Sequence, residues 1–123
     1  MREIKLDAAY EDKKQCWQIY TAAWAQQDRA QRLKMLQQAL NAHCTYCDPL
    51  VKTEGLDELS DYIDEFQTNT PAGKIVTTAF SFHNYQSLAQ WEMLDSMDSL
   101  VKSGFAYGRF DFHNRLLVIT GFF

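Results

Sequence analysis

No apolar run in this 123-residue sequence is long enough to span a bilayer as a helix. Nor is there a run of lysine and arginine of the kind that neutralises phosphates. The 12 basic residues are scattered, 16 acidic residues outnumber them, and the net charge is −4. Neither nucleic acid nor a membrane is therefore an expected partner. Cysteine is scarce: Cys16, Cys44 and Cys47 are the whole supply. An odd count argues against a secreted disulfide framework, and so does a charged start, Met1 to Asp12, without the apolar stretch of a leader peptide. The expected location is cytoplasmic. Phosphate-binding loops, dinucleotide fingerprints and serine, cysteine or lysine nucleophile motifs are all missing. Cys44-Thr45-Tyr46-Cys47 has Cys-x-x-Cys spacing, but no second ligand pair of matching spacing follows. On a strand the two thiols would face opposite sides. No metal and no cofactor are expected.

What the sequence does have is apolar and aromatic. Apolar residues make up 46% of it, and eight Phe, six Tyr and three Trp exceed what a minimal core needs. Such a surplus either lines a cavity or an interface, or fills a core with large side chains. The length fits a single domain over residues 1–123. In the first third, Cys16, Ile19, Tyr20, Ala23 and Trp24 recur at helical spacing. Asp28 followed by Gln31 reads as a capping box for a second helix, with Leu33, Leu36 and Leu40 as its buried face. His43 to Asp48 reads as a short strand ended by Pro49. A third helix follows from near Gly55, striped by Leu56, Leu59, Ile63 and Phe66 with Tyr62 beside them. Thr70 to Gly73 breaks the chain.

The period then changes to that of strands. Lys74–His83, Leu88–Asp95, Leu100–Asp111 and Leu116–Phe123 are four β segments, the last two joined at His113-Asn114. Gly104 and Gly108 interrupt the third of them, which marks bulges or sharp bends. A sheet bent in this way curls and needs its concave face filled, and three amphipathic helices are available. The fold class expected is α+β, with N-terminal helices packed in a curved mixed or antiparallel sheet.

In this order the residues resemble the nuclear transport factor 2-like superfamily, in its SnoaL-like and ketosteroid-isomerase-like branch. The matching features are Tyr20 to Trp24 with Asp28, Tyr46-Cys47-Asp48-Pro49, and Gly55 with Leu59, Tyr62, Ile63 and Phe66-Gln67. Pro71-Ala72-Gly73, Trp91 with Met93, and Gly121-Phe122-Phe123 complete them. The resemblance implies a cone, a pocket for an apolar small molecule between helix and sheet, and a homodimer through the convex sheet face. It also implies roles. Asp48, followed by Pro49, matches the general base that moves a proton next to a carbonyl; Asp-Pro is equally a turn dipeptide. Tyr20, eight residues before Asp28, matches the donor that stabilises the resulting oxyanion; a buried tyrosine tied to a neighbour is the other reading. The acid that completes the isomerase oxyanion hole has no counterpart, because Gly108 aligns there and Asp111 falls three positions on. SnoaL-like cyclases use a pocket acid and aromatic walls, which draws in Trp24, Tyr46, His83, Trp91, Met93 and Asp95 as pocket residues. The function expected is that of a small-molecule pocket protein, acting as an isomerase or cyclase with Asp48 as base. The alternatives are a non-catalytic ligand-binding or protein-interaction module of the same fold.

Overall fold

The computed structural model describes residues 7–123. In chain order they form α1 (Asp7–Ala23), α2 (Arg29–Ala39), β1 (Leu40–Asp48), β2 (Val51–Glu54), α3 (Gly55–Asn69), β3 (Lys74–His83), β4 (Gln86–Leu94), β5 (Leu100–Phe110) and β6 (Leu116–Phe122). The six strands make one sheet in the order β2-β1-β6-β5-β4-β3. All pairs are antiparallel except β1 with β6, so the sheet is mixed. The three helices lie on its concave face, and the whole is an α+β cone. No helix among the described residues is long and apolar enough to cross a membrane.

The helices form where the sequence pattern places them, with instructive departures. On α1 the buried apolar residues are Cys16, Trp17, Tyr20 and Ala23, with Trp24 just past its end; Trp17, not Ile19, completes the stripe, and Lys13 and Thr21 are buried beside it. Asp28 caps α2 through the N–H groups of Ala30 and Gln31, at 2.9 and 3.4 Å. The reciprocal half of the capping box is made by Gln26, whose Oε1 accepts the Asp28 N–H at 3.0 Å, and not by Gln31. The helix stops at Ala39, and Leu40, read as its last buried residue, opens the neighbouring strand. Leu33 is only half-buried, while Arg32 beside it is fully buried.

The sheet bends where the register slips: between Leu40 and Thr45, Thr77 and Ala79, Met93 and Leu94, and Arg109 and Phe110. A slip leaves a residue unpaired and sharpens the local twist. Gly104 and Gly108, expected to be the bulges, are instead in regular register opposite Trp91 and Ser87. Their glycine identity answers a close approach. A Cβ on Gly104 would stand 2.7 Å from the Trp91 ring, and one on Gly108 would stand 2.7 Å from Ser87 Oγ. The Trp91 ring and the Phe122 carbonyl crowd the bare strand at Gly104, and Ser87 and Leu116 crowd it at Gly108.

Candidate functional site

Between the helices and the concave face lies a cavity of about 440 Å³, a volume within the range of small-molecule sites. Its walls are mostly aromatic or aliphatic: Trp17, Trp24, Phe66, Ile75, Trp91 and Met93. Trp24 stands at the centre of an aromatic cluster, with ring centroids 5.8 Å from Tyr46, 5.9 Å from Tyr62 and 5.5 Å from Phe66. Edge-to-face geometry of this sort fixes the rings as well as burying them.

The polar end of the cavity is built by three elements. Tyr46 and Asp48 are two apart on β1, so they share a face of the strand. Tyr62 comes from α3 and Tyr20 from α1. Asp48 Oδ2 accepts the hydroxyl protons of Tyr46 at 2.6 Å and Tyr62 at 2.8 Å. Its other oxygen accepts the N–H groups of Leu50 at 2.8 Å and Val51 at 3.2 Å, which closes the turn around Pro49. A carboxylate offers about four lone-pair positions, and here protein donors take all of them.

The three phenols share one electrostatic environment. Burial pushes each of them well above the ordinary tyrosine value. The negative charge of Asp48 acts in the same direction on all three, and for Tyr46 and Tyr62 so does the hydrogen bond to it. For Tyr20 the Trp24 indole partly offsets the effect. Each phenol therefore keeps its proton at any pH at which the protein would work.

Of the residues singled out from the sequence, Tyr20, Trp24, Tyr46, Asp48, Trp91 and Met93 all line this cavity. His83 and Asp95 do not. His83 is an exposed residue at the end of β3, with Nδ1 3.1 Å from the Asn84 amide nitrogen. Asp95 lies past the end of β4, where its Oδ1 accepts the N–H groups of Met97 and Ser99 and so ties the β4–β5 turn. The alternation that put it on the Trp91 face ended one residue too soon. Asp111 is also a turn residue: Asn41, His113 and Arg115 donate to it. Of the Cys-x-x-Cys pair, Cys44 is in the core, where burial pushes its thiol up to about 12. Cys47 lies against Thr120.

Tyr62, in the sequence a neighbour of the buried α3 stripe, completes the polar cluster. Its signal was present: an aromatic residue flanking the apolar face of a helix has a hydroxyl that must find a partner. Gly121 on β6, which the sequence pattern marks only as part of a Gly-Phe-Phe ending, also lines the cavity.

No protein-family model matches this sequence, nor does any curated protein. Solved structures do match. A candidate isomerase of the SnoaL-like family from Agrobacterium tumefaciens superposes with a TM-score of 0.84 at 22% identity, covering 91% of this chain and 97% of that one. A candidate SnoaL-like polyketide cyclase from Jannaschia gives a TM-score of 0.73 at 7% identity, over 99% of this chain and 90% of that one. A protein with a cystatin-like fold from Methylobium petroleophilum gives 0.74 at 12% identity, over 92% and 76%. At these identities the likeness establishes the fold, which is the nuclear transport factor 2-like, SnoaL-like cone.

Proposed function

We propose that this protein binds an apolar small molecule in the helix–sheet cavity, with an oxygen function of the ligand at the Tyr20–Tyr46–Asp48–Tyr62 end. The observation that carries the reading is the cavity itself, about 440 Å³ walled largely by aromatic and aliphatic side chains and holding the hydrogen-bonded Tyr46–Asp48–Tyr62 cluster. Apolar walls contribute affinity through burial, and a few placed polar groups fix orientation. The isomerase and cyclase descriptions of the structural neighbours point to the same class of ligand. In the catalytic form of this reading, Asp48 takes the proton from the carbon beside a ligand carbonyl. The C–H bonding pair becomes the new C=C bond, the C=O π pair moves to the carbonyl oxygen, and the Tyr20 hydroxyl hydrogen-bonds the enolate so formed.

A non-catalytic binding role is favoured by one specific observation. All four lone-pair positions of Asp48 are occupied, so a C–H must displace a phenol to reach it. Thermal unfolding against a panel of apolar carbonyl compounds, steroids and polyketide-like aromatics, hydroxyl-bearing members included, tests for binding. A compound that binds only the folded state raises the midpoint, by the equivalent of about 2.7 kcal/mol at a hundredfold excess over Kd. If no compound moves it, the pocket reading fails and the fold serves protein interaction. Solvent-deuterium exchange at the carbon beside the carbonyl separates the other two. Exchange that disappears in Asp48→Asn while binding persists establishes the base, and binding without exchange leaves a ligand-binding module.

Assembly as a homodimer belongs to the same proposal. Its support is the set of exposed apolar residues Val76, Leu88, Phe105 and Phe122 on strands β3 to β6.

A further inference from the structure

Hydrogen-bond supply at the polar end of the cavity is asymmetric. A tyrosine has a single proton to donate. Tyr46 and Tyr62 both give theirs to Asp48 Oδ2, so toward the cavity their oxygens offer only lone pairs. Asp48 Oδ1 is closed off by the amides of Leu50 and Val51. The Tyr46–Asp48–Tyr62 group is thus an acceptor. Tyr20 is its complement. It lines the same cavity, and its hydroxyl donates to no protein acceptor among the described residues, so its proton is free for a ligand.

The space beside this group is kept open by Gly121. A Cβ built there would sit 3.5 Å from Asp48 Cβ and 3.7 Å from the Tyr46 hydroxyl oxygen, in ordinary contact with both. Gly121 pairs across the ladder with Ala106, and both line the cavity. The two smallest side chains therefore form the floor beneath the acceptor group.

We infer that the cavity selects an apolar molecule carrying a hydroxyl group, an alcohol, phenol or enol, lodged over Gly121 between Tyr20 and the Tyr46–Asp48–Tyr62 acceptor. One hydroxyl satisfies both sides: its oxygen accepts from Tyr20, and its proton goes to a phenolic oxygen of Tyr46 or Tyr62. A ketone or an ether can accept from Tyr20 but has nothing to give the acceptor side. The three phenols stay protonated over the working pH range, so this polarity does not switch with pH. The inference rests on the cavity being a small-molecule site.

The test is calorimetric titration with three compounds of one shape: 2-naphthol, 2-methoxynaphthalene and 2-acetylnaphthalene. 2-Naphthol is expected to bind about 10-fold tighter than the other two, the equivalent of one net hydrogen bond. Asp48→Asn keeps an acceptor for the Leu50 and Val51 amides but brings an amide donor to the phenols and frees a phenol proton. In that variant the preference for naphthol over acetylnaphthalene is expected to fall to about one. Gly121→Ala is expected to keep the unfolding midpoint and to weaken naphthol by about 10-fold, because a methyl group occupies the hydroxyl's place. Equal binding of all three compounds to the unaltered protein overturns the inference and leaves the pocket standing. So does a naphthol preference that survives Asp48→Asn, or naphthol affinity indifferent to Gly121→Ala. Binding of none of the three overturns the pocket reading with it.

Discussion

Arg32 is the residue whose environment departs furthest from its type. It is fully buried between α2 and α3. Its guanidinium donates to Gln26 O at 2.9 Å, Ser60 O at 3.1 Å, Ser60 Oγ at 3.0 Å and Asp64 Oδ1 at 2.6 Å. Asp64 is half-exposed and stays solvated without its partner, but the buried Ser60 carbonyl and hydroxyl lose their donor, so Arg32→Met should destabilise the fold by about 1–3 kcal/mol. Urea unfolding measures this, and a loss under about 1 kcal/mol would show that the network contributes little. Asp64 supplies a pH-dependent companion. Burial works to raise its pKa, but the hydrogen bonds and charges of Arg32 and Arg29 outweigh that and hold the carboxyl below its ordinary value. A depressed folded-state pKa gives stability that is present above the ordinary carboxylate value and is lost as pH falls through the folded one. The stability difference between the unaltered protein and Asp64→Asn should therefore be full near neutrality and close on acidification. A difference that stays constant with pH would contradict the assignment. None of this was legible in the sequence. Arg32 sits among polar neighbours in a weakly amphipathic stretch, and only the packing of α3 against α2 makes its position internal. Tyr20, Trp24 and Asp48 line the cavity; it was the resemblance that singled out Tyr20 and Asp48, since helical periodicity says only that Tyr20 and Trp24 face inward and Asp-Pro alone reads as a turn. Asp95 was misplaced because nothing in its own residue type says that the strand has ended.

At the level of elements, what was readable depended on whether the signal was local. The start of α2 was readable, since a cap acts within four residues. Asp28 satisfies two otherwise unpaired helix N–H groups, so Asp28→Ala should lower stability by about 1 kcal/mol in thermal unfolding. Asp28→Asn should recover most of that loss, and a loss equal to that of Ala would mean the side chain is not capping. The end of α2 was not readable. Ala39 and Leu40 continue the apolar helical pattern, and both are buried, yet the chain switches to a strand between them. The parallel pairing of β1 with β6 decides that switch, and a contact across some 75 residues leaves no local trace. The glycines of β5 teach the same lesson. Their presence announced something unusual in the strand, but the indole of Trp91 pressing on Gly104 and the Ser87 side chain on Gly108 are set by the sheet register.

For the whole molecule, the curvature that makes the cavity also makes a second surface. The concave face is filled by the helices, so its alternate residues are buried. The convex face carries Leu88 at 51% exposure, Phe105 at 47% and Phe122 at 55%. Phe105 is directly opposite Phe122 in the ladder, and Leu88, opposite Tyr107, lies diagonally across from Phe105 on the adjacent strand. Neighbouring exposed apolar residues of this kind on a small domain mark an interaction site. The homodimer proposed above would cover this face with a second copy related by a two-fold axis. Sedimentation equilibrium should then give twice the 14.3 kDa chain mass. The double variant Leu88→Glu with Phe105→Glu should give 14.3 kDa, because like charges would face each other across the axis. Both positions are exposed within one chain, so the variant should retain its fold, with each change within roughly 0.5 kcal/mol of neutral in the monomer. A single-chain mass for the unaltered protein at tens of micromolar would dismiss the pairing. A variant that remained twice the chain mass would move the interface to another face. If the dimer does form, ligand binding to the double variant becomes informative. The cavity opens on the opposite side of the sheet and draws its polar cluster from α1, β1 and α3, none of which is in the apolar set, so monomerisation should leave naphthol affinity unchanged.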